Sequence, residues 1–258
     1  MKKLKALVVC KYHQDSQESK IFRGIESEEI EIKYSWKNKL LKEDLDGVDF
    51  VVAIGGDGTA LSASHFLVGK PLLAVNSDPA KSEGALTTIS LNELKDKLEE
   101  IKNGNYKTEK LERIEVLINE EKQNILALNE VFIANEKTYL SSKYHIKYLG
   151  GGSKIEEDQI SSGLLFSTGT GSTAWFKSAG GQPFAADEKY IKMIVREPYI
   201  RKILRFSMLE KTIHDGDSIT VIPYTNSILA IDSIREIKLK KGDEVKIEIS
   251  KWPLLRIK

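Results

Sequence analysis

The stretch FVVAIGGDGTALSAS, residues 50–64, joins an apolar run to a glycine-rich loop and then to a helical pattern. A short apolar run bounded by glycine predicts a buried strand, and glycines let the backbone turn sharply and approach a ligand closely. The first turn of the following helix offers unpaired N–H groups and the positive end of a dipole, which suit phosphate oxygens. The stretch therefore predicts a strand, a phosphate-binding loop and a helix of an α/β domain.

Asp57 stands in the middle of this loop. A negative charge beside phosphates is unfavourable unless it orients a hydroxyl, accepts its proton or holds a metal ion. The structural alternative is that Asp57 only caps the following helix. The loop does not contain Gly-Lys-Ser/Thr, which excludes a Walker A motif.

The first hundred residues alternate strand and helix patterns. Glu93 stands three residues after Ser90, which predicts a capping box at the start of the last helix, and Gly104 predicts its end. This alternation predicts a mostly parallel, Rossmann-like sheet with helices on its faces. The predicted strands are 5–10, 30–34, 48–54 and 71–75, and the predicted helices are 16–24, 38–45, 59–68 and 90–103.

After Gly104 the pattern changes to short apolar runs separated by turn residues. Residues 111–118 and 124–134 predict a hairpin, because a polar segment separates them. The second half is therefore predicted to be an all-β sandwich, and the two domains to span residues 1–105 and 106–258. Further predicted strands are 143–149, 163–167, 218–223, 227–231, 234–239 and 244–249.

Two more segments carry candidate chemistry. Asn129-Glu130 lies inside the apolar run ALNEVFI, so one of the two polar side chains is expected near the core, where it needs partners. The segment STGTGSTAW, residues 167–175, is dense in hydroxyl groups that can hydrogen bond to phosphate, ribose or adenine. The structural alternatives are a satisfied polar pair for the first segment and a hydroxyl-rich turn for the second.

Composition excludes several classes of protein. Lys and Arg number 39 against 38 Asp and Glu, and this net charge of +1 gives no electrostatic reason to expect nucleic acid or an anionic membrane as partner. The apolar runs are too short to cross a bilayer, and the N-terminus has no signal or transit pattern. Cys10 is the only cysteine, and the four histidines lack metal-ligand spacing. We therefore predict a cytoplasmic protein with no protein metal site.

In this order, the three segments resemble the motifs of the ATP-NAD kinase family: Gly55-Gly56-Asp57-Gly58-Thr59 the first, Asn129-Glu130 the second, and residues 168–175 the third and most specific. The resemblance covers most of the chain. It implies an α/β domain followed by a β-sandwich, and phosphorylation of NAD to NADP by ATP. It also implies Mg²⁺ or another divalent cation on the ATP phosphates, and a homodimer or homotetramer with sites at the interface.

The resemblance also implies a role for individual residues. Asp57 would orient or deprotonate the 2′-hydroxyl of the adenosine ribose, and Asn129 and Glu130 would hold ribose hydroxyls. The remaining implied contacts are to the adenine from Thr173, Ala174 and Ser178, and to phosphates from Gly56, Gly58 and Thr59.

Two positions depart from the general bacterial pattern of the family. Gly169 stands where bacterial members usually have proline, and Ser162 stands where they usually have aspartate. Both features resemble the mitochondrial-type NAD kinase branch, as do Asn76-Ser77-Asp78-Pro79 with Ser82-Glu83-Gly84, and Arg196-Glu197-Pro198.

Two alternative functions stay open at this point. A lipid kinase of the diacylglycerol or sphingosine type shares a Gly-Gly-Asp-Gly loop, but it predicts a hydrophobic or basic membrane-contact surface, which the net charge and the short apolar runs do not support. A non-catalytic nucleotide sensor would keep the binding loops without turnover, and the presence of Asp57 argues against it.

Overall fold

The computed structural model describes residues 3–11, 29–80, 84–137, 139–200 and 206–258. The chain divides into two compact units, of which unit 1 is Met1–Lys110 with Leu254–Lys258 and unit 2 is Leu111–Pro253. The predicted helix 16–24 lies outside the described residues.

Unit 1 is built on a largely parallel sheet, as the sequence predicted. Strands such as LKALVVC and FVVAIG are buried almost throughout, which is typical of a parallel sheet covered on both faces. The strands are β1 (Leu4–Cys10), β2 (Ile30–Trp36), β3 (Phe50–Gly55), β4 (Pro71–Asn76), β5 (Ile89–Ser90), β6 (Thr108–Leu111) and β19 (Leu254–Ile257). The strand order is β2-β1-β3-β4-β19-β6, with β5 also paired to β4. Strand β1 pairs in parallel with β2 and β3, and β4 pairs in parallel with β3, β5 and β19.

The end of the chain does not belong to the sandwich that was predicted for residues 106–258. Strand β19 pairs in parallel with β4, and Leu255 lies opposite Pro71. Leu254 and Ile257 are buried in unit 1, and Thr88 Oγ1 donates a hydrogen bond to the Ile257 carbonyl at 3.0 Å. Four residues are too few to show a period, so the sequence pattern did not predict this strand.

The helices of unit 1 are shorter than the sequence predicted. Helix α1 is Asp57–Ser64 and α2 is Leu94–Lys102, which follows a 3₁₀ turn at Leu91–Glu93. The capping box is confirmed, because the Ser90 N–H donates to the Glu93 carboxylate at 2.8 Å. The predicted helix 38–45 is wrong: only a 3₁₀ turn forms, at Lys42–Leu45, since a helix as short as the predicted one is marginal unless tertiary packing stabilises it.

Unit 2 is a sandwich of two antiparallel sheets. Their orders are β11-β10-β15-β18-β7-β8 and β14-β13-β12-β9-β16-β17. The strands are β7 (Ile114–Ile118), β8 (Glu121–Lys122), β9 (Glu130–Asn135), β10 (Ser142–Gly150), β11 (Ser153–Ser161), β12 (Gly163–Ser167), β13 (Tyr190–Arg196), β14 (Glu210–His214), β15 (Ser218–Pro223), β16 (Ser227–Ile231), β17 (Arg235–Leu239) and β18 (Val245–Ile249), with one helical turn, α3, at Trp175–Ser178.

The core of unit 2 lies between the two sheets. Alternating residues point inward, such as Ile146 and Ile219 from one sheet and Leu164 and Leu229 from the other, all of them fully buried. The second sheet also carries apolar residues on its outer face, where Phe132 and Phe176 pack with Trp175 of α3. The predicted sandwich is confirmed.

The predicted hairpin of 111–118 with 124–134 is wrong. Strand β7 pairs with β18 and with the two-residue strand β8, whereas β9 lies in the other sheet between β12 and β16. The two runs meet only at a single bridge between Ile114 and Ala127. The chain then leaves this sheet because residues 128–130 bind the side chain of Asp232 instead. No helix among the described residues is long and apolar enough to span a membrane.

Candidate active site

The glycine-rich loop joins β3 to α1 in unit 1, as the sequence predicted. Glycine is required at position 55, because a Cβ there would lie 2.4 Å from Thr59 Oγ1. Helix α1 begins at Asp57, and the Thr59 N–H donates to the Gly56 carbonyl at 2.8 Å. Gly56 and Gly58 are half-buried and Thr59 is buried. The loop therefore turns tightly at the amino end of the helix, which is the arrangement that suits an anionic ligand.

Asp57 does not cap its own helix. Its two carboxylate oxygens accept hydrogen bonds from the N–H groups of Ala85 and Leu86, at 3.0 and 2.8 Å. The same segment is held from its other side, because the Arg256 guanidinium of β19 donates to the carbonyls of Ala85 and Leu86 at 3.2 Å. The carboxylate of Asp57 is thus fixed in orientation, and each of its oxygens has a second lone pair for another donor.

Two lysines that the sequence analysis missed flank the loop. Lys11 and Lys37 each directly follow a parallel strand, β1 and β2, and Lys37 Nζ lies 3.0 Å from the position of a Cβ on Gly58. Burial, and next the charge of Lys11, lower the pKa of Lys37. Ligands of parallel sheets bind near the carboxyl ends of the strands, and both lysines directly follow such ends. The sequence pattern could therefore have identified Lys11 and Lys37 as candidates.

Asn129 and Glu130 lie at the start of β9 in unit 2. Asn129 Oδ1 and Glu130 Oε2 are buried and have no hydrogen-bond partner among the described residues. A buried oxygen without a partner is unfavourable by roughly 1–3 kcal/mol, so such atoms call for a ligand or a water. Protein groups among the described residues therefore do not satisfy all the polar atoms of this pair.

The carboxyl of Glu130 has an unusual environment. Burial, and then the neighbouring charge of Asp232, raise its pKa to about 7, although a hydrogen bond from Ser233 Oγ at 3.0 Å partly opposes the rise. Asp232 accepts hydrogen bonds from the N–H groups of residues 128, 129 and 130. Both Asp232 and Ser233 escaped the sequence analysis, although the two-residue gap between predicted strands 227–231 and 234–239 marks a hairpin turn.

The hydroxyl-rich segment is partly a structural element. Thr168 Oγ1 donates to the Leu128 carbonyl at 2.5 Å, and Ser172 Oγ donates to the Gly169 carbonyl at 2.7 Å. Ser167 Oγ likewise donates to the Thr168 carbonyl at 3.0 Å. These three hydroxyls are buried, so the expectation that the whole segment offers hydroxyls to a ligand is wrong for them.

The same segment packs directly against the Asn129-Glu130 segment. The Thr168 N–H donates to the Asn129 carbonyl at 3.0 Å, and a Cβ on Gly171 would lie 2.2 Å from that carbonyl oxygen. Thr170 Oγ1 is a third buried oxygen with no partner among the described residues. The predicted adenine contacts Thr173, Ala174 and Ser178 are all exposed, and Ser178 Oγ donates only a long bond, 3.3 Å, to the Ala174 carbonyl.

Ser162 lines two adjoining clefts of unit 2, of about 440 and 180 Å³. Its N–H donates to the Arg196 carbonyl at 2.9 Å. The Arg196 guanidinium lies 5.4 Å from the ring centroids of both Phe132 and Trp175, and it is within 3.7 Å of the Glu197 carboxylate. The walls of these clefts carry two positive side chains, Lys143 and Arg196, and one negative side chain, Glu197. Groups of three or more potential metal-ligating side chains do not occur among the described residues.

A glycine-rich loop suited to phosphate on an α/β sheet, and buried polar side chains without protein partners on a β-sandwich, are features typical of a nucleotide-dependent kinase. This chain belongs to the ATP-NAD kinase family: the model of the family's N-terminal domain matches residues 3–106 and that of its C-terminal domain matches residues 128–258. The resemblance of the three motifs is thereby confirmed at the level of the family.

Known relatives agree with this assignment. NAD kinase 2 of Synechocystis sp. is 31% identical over 217 residues, which cover 81% of this chain and 67% of the relative. The crystal structure of an NAD kinase from Archaeoglobus fulgidus in complex with ATP superposes with a TM-score of 0.76 at 23% identity, covering 99% of this chain and 94% of the other. The yeast NADH kinase complexed with NADH gives a TM-score of 0.81 at 17% identity, covering 99% and 83%. These two structures confirm the fold.

Proposed function

We propose that this protein is an NAD kinase, which transfers the γ-phosphoryl group of ATP to the 2′-hydroxyl of the adenosine ribose of NAD and so forms NADP. In a member of this family, one observation carries the proposal. Asn129 and Glu130 each hold a buried oxygen with no partner among the described residues. The hydroxyls of a ribose are donors that satisfy such oxygens.

The chemistry requires a proton acceptor at the attacking hydroxyl. The 2′-oxygen forms a bond to the γ-phosphorus while the bond from that phosphorus to the β,γ-bridging oxygen breaks, and ADP leaves. Asp57 orients the hydroxyl and takes its proton, since its carboxylate is fixed by the N–H groups of Ala85 and Leu86 and retains lone pairs.

Phosphoryl transfer depends mainly on positioning and on neutralising charge. ATP enters as its complex with Mg²⁺ or another divalent cation, which is carried on the phosphates of the substrate. Gly56, Gly58 and Thr59 face phosphates at the start of α1, and Lys11 and Lys37 add positive charge beside the loop.

The decisive experiment is to incubate the purified protein with NAD, ATP and Mg²⁺ and to follow NADP with an NADP-specific dehydrogenase. We expect many turnovers per enzyme. The absence of NADP would contradict the proposal and favour the nucleotide sensor, whereas a burst of NADP formation would exclude the sensor. Parallel reactions with polyphosphate as donor, and with diacylglycerol or sphingosine as acceptor, test the other donor and the lipid kinase alternative.

The adenine contacts yield a prediction about substrate affinity. Thr173→Val or Ser178→Ala should raise the KM for NAD more than it lowers kcat, because each removes one exposed hydroxyl from the proposed adenine site. One hydrogen bond contributes about 0.5–1.5 kcal/mol, or roughly 2- to 13-fold. Steady-state kinetics with each substrate varied will measure this, with Thr220→Val on β15 as the matched control. A change confined to the KM for ATP would assign these residues to the donor side.

Ser162 yields a prediction about the redox form of the substrate. An aspartate near the bound dinucleotide favours the positively charged nicotinamide of NAD over neutral NADH, and serine gives up this preference. Opposite charges 4 Å apart near a protein surface attract by about 4 kcal/mol before desolvation. The part of this energy that remains after desolvation and screening is enough to alter the selectivity between NAD and NADH. Ser162→Asp should therefore raise the ratio of kcat/KM for NAD over NADH several-fold.

The same assay must exclude a general effect of added charge. Ser153→Asp adds the same negative charge at an exposed position of β11, and it should leave the ratio unchanged. If the ratio of a folded Ser162→Asp protein were unchanged or lower, position 162 would not sense the nicotinamide charge.

Membership of the mitochondrial-type branch is a finer part of the proposal. A Cβ at position 169 would lie 2.0 Å from the Ala185 carbonyl oxygen, so the packing there supports glycine instead of the usual bacterial proline. A cytoplasmic location is also proposed, which is compatible with a sequence whose single cysteine, Cys10, is buried.

We further propose a homodimer or homotetramer. Large apolar side chains are exposed around the clefts that Ser162 lines, and such patches are typical of interfaces. Light scattering after size exclusion will measure the mass, and a monomer would contradict this part of the proposal. The exposed side chains that line these clefts are Tyr139, Leu140 and Tyr199.

A further inference from the structure

The turn that joins β16 to β17 has an unusual backbone. It consists of two residues, Asp232 and Ser233, with φ angles of 51° and 54°, and the Ile234 N–H closes it on the Ile231 carbonyl at 3.0 Å. Two-residue hairpin turns of this left-handed type favour Asn-Gly or Asp-Gly. A serine at the second position is therefore strained, and strain that persists in a native protein suggests a function for the side chains involved.

Asp232 holds the backbone of the Asn129-Glu130 segment. It is 3% exposed, and its carboxylate accepts hydrogen bonds from the N–H groups of Leu128, Asn129 and Glu130 at 2.8, 2.7 and 2.9 Å. The Asp232 N–H in turn donates to the Glu130 carbonyl at 2.9 Å. These four hydrogen bonds to three consecutive residues fix the backbone of the segment.

The charge of Asp232 is balanced inside the unit. Arg113 is fully buried, its charge interacts with that of Asp232, and its guanidinium donates to the Trp252 carbonyl through Nε at 2.7 Å. A buried carboxylate is tolerated when a nearby opposite charge and hydrogen bonds compensate it. The positive charge of Arg113 therefore partly compensates the burial of the Asp232 carboxylate, which holds the three N–H groups.

Ser233 acts on the side chain. Its hydroxyl donates to Glu130 Oε1 at 3.0 Å, which leaves the other oxygen, Oε2, buried and without a partner among the described residues. The turn thus controls both the backbone and the carboxylate orientation of one residue that is proposed to bind substrate.

We propose that the Asp232-Ser233 turn is a positioning element for substrate: Asp232 fixes the backbone of Asn129 and Glu130, and Ser233 orients the Glu130 carboxylate, so that their unpartnered oxygens are preset for a ribose diol. The inference rests on the proposed function, because it takes NAD as the ligand of this pair. Both residues act through Asn129 and Glu130, to which their side chains are hydrogen bonded.

Three variants of the full chain test the inference by calorimetric titration with NAD in the absence of ATP. Asp232→Asn should weaken NAD binding roughly 10- to 160-fold, because hydrogen bonds to a charged group are the stronger ones and their loss releases the backbone of both Asn129 and Glu130. Ser233→Ala and Ser233→Gly should each raise the Kd for NAD roughly 2- to 13-fold, the effect of one lost hydrogen bond. The KM for ATP should change less than twofold in all three.

The glycine variant separates positioning from stability. Ser233→Gly relieves the left-handed backbone, so its Tm should equal or exceed that of the wild type although its affinity for NAD falls. Glu120 provides a matched control, because it also has a left-handed backbone, φ 70°, in the hairpin turn between β7 and β8. Glu120→Gly should raise or preserve the Tm and leave the Kd for NAD unchanged.

The outcomes are distinguishable. If Ser233→Gly and Ser233→Ala bind NAD like the wild type, the inference is wrong even when the enzyme is active. If Asp232→Asn does not fold, the two Ser233 variants still show whether the turn contributes to NAD binding. If the wild type binds NAD but forms no NADP, the proposed function fails while the titrations still test the positioning role. A wild type that does not bind NAD overturns both.

Discussion

Asp57→Asn should reduce turnover to NADP by roughly 10²–10⁴-fold or more, since the carboxylate that orients the 2′-hydroxyl and accepts its proton is lost. The structure adds a second effect. An amide has one acceptor oxygen, so the N–H of either Ala85 or Leu86 loses its partner and faces an NH₂ group. We expect a loss of stability of about 1–3 kcal/mol on top of the catalytic loss.

A matched variant separates these two effects. Asp217 is another carboxylate that binds the backbone through both of its oxygens, because its Oδ1 accepts a hydrogen bond from the Gly151 N–H and its Oδ2 accepts one from the His214 N–H, each at 3.1 Å. Asp217→Asn should cost stability and leave kcat close to that of the wild type. Thermal unfolding and single-turnover rates will be measured for both proteins, and near-normal turnover in Asp57→Asn would refute the catalytic assignment.

Local patterns were sufficient to predict most of the fold. Strands β1, β3 and β4 are uninterrupted apolar runs, and the Ser90 capping box depends only on residues three apart, so each was predictable from nearby sequence. Strand β11 was missed because SKIEEDQIS is mostly polar, being half-exposed in its sheet. Strand β19 was missed because its four residues are too few to show a period, and its place beside β4 was not predictable because the two strands are remote in sequence.

The candidate site was only partly predictable for the same physical reason. The three motifs are contiguous, so the sequence alone identified Asp57 and the Asn129-Glu130 segment as candidates. The groups that orient them are distant in sequence: Leu86 is 29 residues from Asp57, and Asp232 is 102 residues from Glu130. Almost any residue can donate a hydrogen bond from its backbone N–H, so the identity of the donor is hardly constrained. The contact from the Leu86 N–H to the Asp57 carboxylate therefore leaves no motif in the sequence.

Gly171→Ala should produce the largest loss of activity among the variants that alter no polar side chain. A Cβ at position 171 would lie 2.2 Å from the Asn129 carbonyl oxygen and 2.6 Å from its carbon, and both belong to the backbone. The hydroxyl-rich segment and the Asn129-Glu130 segment must then move apart. A displacement of about 1 Å at a substrate-positioning group lowers kcat/KM by about 100-fold. Overpacking of this kind also destabilises by about 1–3 kcal/mol.

The control for Gly171→Ala is a second Gly→Ala substitution, at a position where the added methyl group meets no neighbouring atom. Gly216 lies in the turn between β14 and β15 with a φ of 84°, and a Cβ there would meet no atom within 4 Å. Gly216→Ala should lower the Tm, because alanine is strained in that backbone conformation, but its kcat/KM for NAD should match the wild type. Kinetics and thermal unfolding of the two variants, taken together, assign the effect at 171 to the displaced Asn129 segment. Equal kcat/KM in Gly171→Ala and the wild type would show that the contact between the two segments does not position the substrate.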